Sequence, residues 1–236
     1  SDVRLYLPRV EDLKEESGSQ VFDAAIRQAE EALDLTSVSE LSMALPAAYE
    51  ALKAAVETYT ECLCAGWTPG EEVDLTWLLV NPDFSEGSKG WEGTSFTAAS
   101  SGVAEFYDKT YDTYQVLERM PAGTYRLRVQ GFYRYGDKAE AYDAHQDGSE
   151  QFLAGLYLNS SRQPFMSLID GSAPYTYNPY TYPDDVRSAD NAFNRDGEYR
   201  ANEVEYELLA KGELRVGLDK TEYRYHDRNC FDNFKL

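Results

Sequence analysis

The hydrophobic period of this chain changes once, and that change restricts the fold to two unlike parts. Before residue 66, apolar residues recur every three or four positions. Phe22, Ile26, Ala29 and Leu33 form one set, and Tyr49, Leu52, Val56, Tyr59 and Leu63 form another. Each set falls on one face of an amphipathic helix. Ser19 suits an N-cap, and Pro46 suits a first helical turn, where its missing N–H costs nothing. Trp67-Thr68-Pro69-Gly70 then interrupts the pattern with a Pro-Gly turn signal. From Leu75 onward apolar and polar residues alternate.

The alternation predicts strands over residues 76–80, 103–107, 113–118, 124–133, 152–158, 165–169, 203–208, 213–218 and 230–236. Residues 124–133 show it most clearly, with Tyr125, Leu127 and Val129 on one face and Arg126, Arg128 and Gln130 on the other. Such a strand is half buried in an antiparallel sheet. Pro121-Ala122-Gly123 reads as a hairpin turn with Gly at a positive-φ position. Many short strands separated by turns indicate a sandwich. The expected organisation is a helical hairpin or small bundle over residues 1–66, a linker over 67–73, and an antiparallel β-sandwich over 74–236. Residues 1–18 offer a third helix, but Pro8 and Gly18 oppose it.

Two motifs bracket the alternating region. Asn81-Pro82-Asp83-Phe84 precedes Gly90-Trp91, and Phe231-Asp232-Asn233-Phe234-Lys235-Leu236 ends the sequence. This pair resembles the galactose-binding-like jelly rolls, which include many bacterial carbohydrate-binding modules. In those domains the first motif pairs back beside the last strand and the Trp anchors the core. The segments Ala24 to Glu30 and Ala48 to Val56 more weakly resemble FIVAR-type helical repeats of bacterial surface proteins. The resemblance implies a mainly β jelly-roll sandwich that binds a glycan or polysaccharide without catalysis, in a secreted or cell-surface bacterial protein. It also implies a structural Ca2+ where the two motifs meet. Asp232 matches the last-strand ligand. Ser85 stands where relatives carry a carboxylate, so Asp83 or Glu86 has to substitute. The alternative role for Asp83 and Asp232 is capping of turns.

Charge narrows the partners. The net charge of −20 opposes a nucleic-acid backbone and an anionic membrane surface. No apolar run of about 18 residues offers a bilayer span. No signal segment is present, and the expectation is that one was removed. Cys62, Cys64 and Cys230 make neither a disulfide framework nor a zinc site. His145 and His226 have no recognisable catalytic spacing, and the common hydrolase, metalloprotease and nucleotide-binding motifs are missing. The expectation is therefore not an enzyme.

Two long stretches resist the alternation: the acidic residues 136–150 and the tyrosine- and proline-rich residues 170–191. Loops of this length in a compact domain are usually functional or disordered. In the second, Tyr175, Tyr177, Tyr180 and Tyr182 alternate with prolines. Tyrosine offers a flat apolar face for the C–H side of a sugar ring and a hydroxyl for its rim, and Asn178 adds a hydrogen-bonding partner. Tyr135 and Tyr225, with Tyr133 and Tyr223, join them if neighbouring loops meet. Two other readings are open: these rings pack the loop onto the sandwich, or they contact other surface proteins in a structural or adhesive module.

Overall fold

The computed structural model describes residues 2–100, 102–171, 182, 183 and 185–236. The chain divides into two compact units, Ser1–Val73 and Asp74–Leu236.

The first unit holds three helices: α1 (Asp2–Ser17), α2 (Asp23–Leu33) and α3 (Val38–Ala65). Residues 2–17 are helical despite Pro8. Val3, Leu7 and Val10 form a buried stripe, while Pro8 and Arg4 face solvent, so the carbonyl that Pro8 leaves unpaired is open to water. The third helix also starts earlier than Pro46 suggests. Ser37 precedes its first turn and Pro46 lies inside it. The predicted stripes face inward: Phe22 and Leu52 are fully buried, and Tyr59 packs against Phe22 with centroids 5.1 Å apart. Ala25, Ala29 and Ala32 allow α2 to lie close to its neighbours.

The second unit is mainly β. Its strands are β1 (Glu92–Gly93), β2 (Ala98–Ser100), β3 (Val103–Tyr107), β4 (Tyr111–Met120), β5 (Gly123–Arg134), β6 (Gly155–Leu158), β7 (Ser161–Pro164), β8 (Asn202–Leu208), β9 (Gly212–Lys220) and β10 (Arg228–Lys235). They form two antiparallel sheets, ordered β1-β4-β9-β6-β7 and β2-β3-β10-β5-β8. The sheets pack face to face. Phe106 of β3 stacks on Tyr111 of β4 with centroids 3.8 Å apart, and the Tyr111 hydroxyl donates to Asn229 of β10 at 2.6 Å. On β5, Tyr125, Leu127 and Val129 point into this core, while Arg126 and Arg128 pair with Glu205 and Glu203 directly opposite on β8.

Several expected elements differ. Residues 76–80 are not a strand. Thr76–Leu78 is a 3-10 turn, begun by the Asp74 carboxylate accepting from the Thr76 N–H at 2.9 Å, and it buries Leu75 and Leu79 together. The strand beside β10 is therefore β3 on one side and β5 on the other. The early segment still reaches the end of the chain, because Leu75 N–H donates to the Leu236 carbonyl at 2.8 Å and Phe234 N–H to the Pro82 carbonyl at 3.0 Å. Residues 121–123 are not a hairpin turn, since β4 and β5 belong to different sheets. Arg119, not Gly123, takes the positive φ of 59°. Residues 165–169 leave the sheet after Pro164 and enter a 3-10 turn, Leu168–Asp170. Acidic residues 136–150 contain α4 (Lys138–Asp147), fixed by an Asp137/Glu140 capping box and a left-handed Gly148.

The insertion has a packing role as well. Short helix α5 (Val186–Asp190) continues into a π turn, Asn191–Arg195. Ala189, Ala192, Phe193 and Tyr199 lie over Val103, Phe132 and Cys230 on the outer face of the second sheet, making a second apolar core. Gln130, on the same face, donates to the Phe193 and Glu198 carbonyls at 2.9 and 2.6 Å.

Candidate functional site

One end of the sandwich gathers three connections: residues 108–110 between β3 and β4, residues 135–137 before α4, and residues 221–227 between β9 and β10. Asp227 is the root of the last. It is 1% exposed, accepts from the Tyr133 hydroxyl at 2.7 Å and is paired with the equally buried Lys220 at the end of β9. Burial raises the Asp227 carboxyl and lowers the Lys220 amine, each partly opposed by the other. Backbone contacts complete the root: Asp108 N–H donates to the Asp227 carbonyl at 3.0 Å, and Arg134 donates to the His226 carbonyl at 2.7 Å.

On this root the loop presents aromatic side chains. Tyr223 and Tyr225 are 61% and 60% exposed. The Tyr223 hydroxyl donates to Asp108 at 2.8 Å, and Tyr225 stacks on His226 with centroids 3.7 Å apart. Between them, the Arg224 guanidinium lies 4.3 Å from the Tyr135 centroid and 3.4 Å from Glu140 of α4. The arrangement offers apolar faces, cationic donors and carboxylate acceptors on one short segment with a fixed backbone.

Of the residues expected to bind a ligand, Tyr135 and Tyr225 come together here. Tyr175, Tyr177, Asn178 and Tyr180 lie outside the described residues. Tyr182 is 8% exposed within the second core, which leaves no ring face for stacking. Tyr133 is fully buried beneath the loop. Asp108, Arg224 and the Lys220–Asp227 pair went unread in the sequence. The signal for the last was a lysine at an inward position of an alternating strand.

The residues expected to hold calcium are arranged differently. Asp83 is exposed and accepts from its own neighbour Ser85, at 2.8 Å from the hydroxyl and 3.2 Å from the N–H. Glu86 is paired with Lys89. Asp232 is buried and accepts from Asn194 at 3.0 Å and from the Asn233 N–H at 2.6 Å. Burial pushes its carboxyl up to about 7, with Asp83 and Asp190 adding to the rise against these hydrogen bonds. Calcium takes six to eight hard oxygens. Among the described residues no group of three or more His, Cys, Asp or Glu side chains that could hold a metal ion is found.

A second polar cluster ties α4 to the turn before the insertion. Glu150 accepts from Ser167 at 2.7 Å and contacts His145 Nδ1 at 2.8 Å, while His145 Nε2 lies 3.6 Å from Asp170. The Glu150 carboxylate lies between the serine hydroxyl and the imidazole and contacts both.

No helix among the described residues is long and apolar enough to cross a membrane. No protein-family model matches the chain, and no curated protein matches it.

Proposed function

We propose that residues 74–236 form a galactose-binding-like jelly roll that binds a glycan without catalysis, in a bacterial protein displayed or secreted outside the cell. The observation that supports this best is the 221–227 loop. It exposes Tyr223 and Tyr225 on a backbone held by buried hydrogen bonds at both ends. A platform ordered before binding loses little conformational entropy when a ligand stacks on it. Tyr135 and Arg224 extend the surface, and Asp108 and His226 supply partners for ring hydroxyls. Tyr175, Tyr177, Asn178 and Tyr180 add to the same site if the insertion reaches this end.

A shallow platform of this kind gives micromolar to millimolar dissociation constants, on the order of −4 to −8 kcal/mol. The test is a glycan array with the full chain, followed by calorimetry on the best hit. Tyr223→Ala/Tyr225→Ala should lower the affinity at least tenfold with the fold intact. If the variant binds as tightly as the native chain, the loop is not the site. If no glycan binds, a structural or adhesive module that contacts proteins takes the place of this reading.

A further inference from the structure

The Lys220–Asp227 pair has features beyond those of an ion pair. Both side chains are 2% exposed, and Lys220 Nζ directly contacts Asp227 Oδ2. The same oxygen accepts from the Tyr133 hydroxyl at 2.7 Å. Three strands converge on this point: β9 ends at Lys220, β10 begins just after Asp227, and Tyr133 comes from β5. Tyr111, also buried, lies close enough for its hydroxyl to be affected by the Asp227 charge. Asp108 is the other carboxylate acting on both members of the pair.

Burying two charges costs several kcal/mol per ion, which mutual attraction only partly returns. The alternative is the neutral pair, reached when the ammonium proton passes to the carboxylate. Burial favours this on both sides, lowering Lys220 and raising Asp227. A neutral amine held against a protonated carboxyl is a nucleophile held against its electrophile. A desolvated lysine is activated in this way, and fixed proximity replaces a bimolecular encounter.

We propose that Lys220 and Asp227 condense to an intramolecular isopeptide bond that permanently closes the 221–227 loop. The Nζ lone pair attacks Asp227 Cγ, forming the Nζ–Cγ bond and a tetrahedral centre. The Nζ proton passes to one of the Cγ oxygens, that Cγ–O bond breaks, and one water leaves. Nothing is oxidised or reduced. The Tyr133 hydroxyl polarises the carboxyl oxygen before attack and donates to the amide carbonyl afterwards. The product replaces two buried charges with a neutral, hydrogen-bonded amide.

The test is the mass of the full chain, purified and measured in denaturant. The native protein should be lighter than its sequence by one water. A tryptic digest should lack cleavage after Lys220. It should contain the peptide from Val216 to Arg224 joined to the peptide from Tyr225 to Arg228, at their summed mass less one water. Lys220→Arg keeps the positive charge without a primary amine and should show its full sequence mass. Asp227→Asn can form the same amide by releasing ammonia and should give a product of the same mass as the native one. A native chain at full sequence mass overturns the proposal even if every variant misfolds. So does a lost water that the digest maps elsewhere, such as a succinimide at Asp147-Gly148.

Discussion

Arg224 sits with its guanidinium carbon 4.3 Å from the Tyr135 ring centroid, and that contact joins the β9–β10 loop to the start of α4. The same guanidinium faces Glu140, the residue that closes the capping box of α4. Two partly exposed contacts of this kind contribute about 0.5–1 kcal/mol each. Arg224→Ala is therefore expected to change global stability by no more than about 2 kcal/mol. Its effect should be local. Hydrogen exchange of residues 221–226 should become faster, while β4 and β5 keep their protection. Unchanged exchange in the loop would show that the Asp227 root holds it without help.

Tyr133 tests that root. Its hydroxyl is the neutral donor to a buried carboxyl group, and replacing it with Phe leaves that oxygen one partner short. The expected cost for Tyr133→Phe is about 1–3 kcal/mol, read from urea unfolding. The aromatic volume is kept, so a much larger loss would point to rearrangement of the sheets. A loss below about 0.5 kcal/mol would mean that the hydroxyl contributes no net stabilisation here.

Asp232 predicts a pH dependence of known sign. Burial pushes its carboxyl up from the ordinary 3.8 to about 7 in the folded chain. The folded state therefore holds a proton that the unfolded state has released between these values. Stability from this group is fully present below about pH 4 and is lost as pH rises through 7. Asp232→Asn stays neutral throughout, so its stability relative to the native chain should improve from pH 5 to pH 8. The amide cannot accept from both Asn194 and the Asn233 N–H, which adds a fixed cost. That cost cancels when the two pH values are compared. A difference that is flat or of opposite sign would show that burial does not raise the Asp232 carboxyl in the folded chain.

Calcium makes a separate measurement. An ion bound only to the native state raises the melting temperature by mass action. With Glu86 turned to Lys89 and Asp83 to Ser85, excess chelator is expected to leave the melting curve unchanged. A clear fall would mean that Asp83 and Asp232 converge on an ion with backbone oxygens.

The sequence made the strands legible wherever one face is wet. Residues 203–208 alternate because one side lies in the core and the other is wet, and their bounds agree with β8 within a residue, whereas β3 keeps the predicted bounds 103–107 although both of its faces are covered. It failed where local hydrogen bonding outweighed period. Asp74 turns residues 76–78 into a 3-10 helix although their pattern reads as extended. Helix α4 has almost no apolar stripe and is fixed by its caps, so hydrophobic period does not reveal it. Pro8 opposes helix by propensity, but it lies on the exposed face of α1, where its missing bond costs little. The candidate site was half legible: Tyr135 and Tyr225 were readable as aromatic residues near turns. Their meeting depends on two connections, residues 135–137 and 221–227, separated in sequence by more than eighty residues, which no local pattern encodes.

The two bracketing motifs provide the last prediction. Phe84 and Phe234 are fully buried, with centroids 5.7 Å apart, and Trp91 packs against both at 5.3 and 4.7 Å. Asn81 holds the first motif in place, accepting from Glu86 N–H at 2.9 Å and donating to the Gly87 carbonyl at 2.8 Å. The cluster thus ties the loop that precedes β1 to the final strand, β10. Phe84→Leu and Phe234→Leu should each destabilise the chain by about 1–3 kcal/mol, since each keeps an apolar group but loses ring contacts. Edge-to-face pairs contribute about 0.5–1.5 kcal/mol beyond burial. The double variant should therefore lose less than the sum of the singles by about that amount, measured as a coupling energy in urea. Additive losses would show that the two rings do not interact, and that the N-terminal motif packs independently of the last strand.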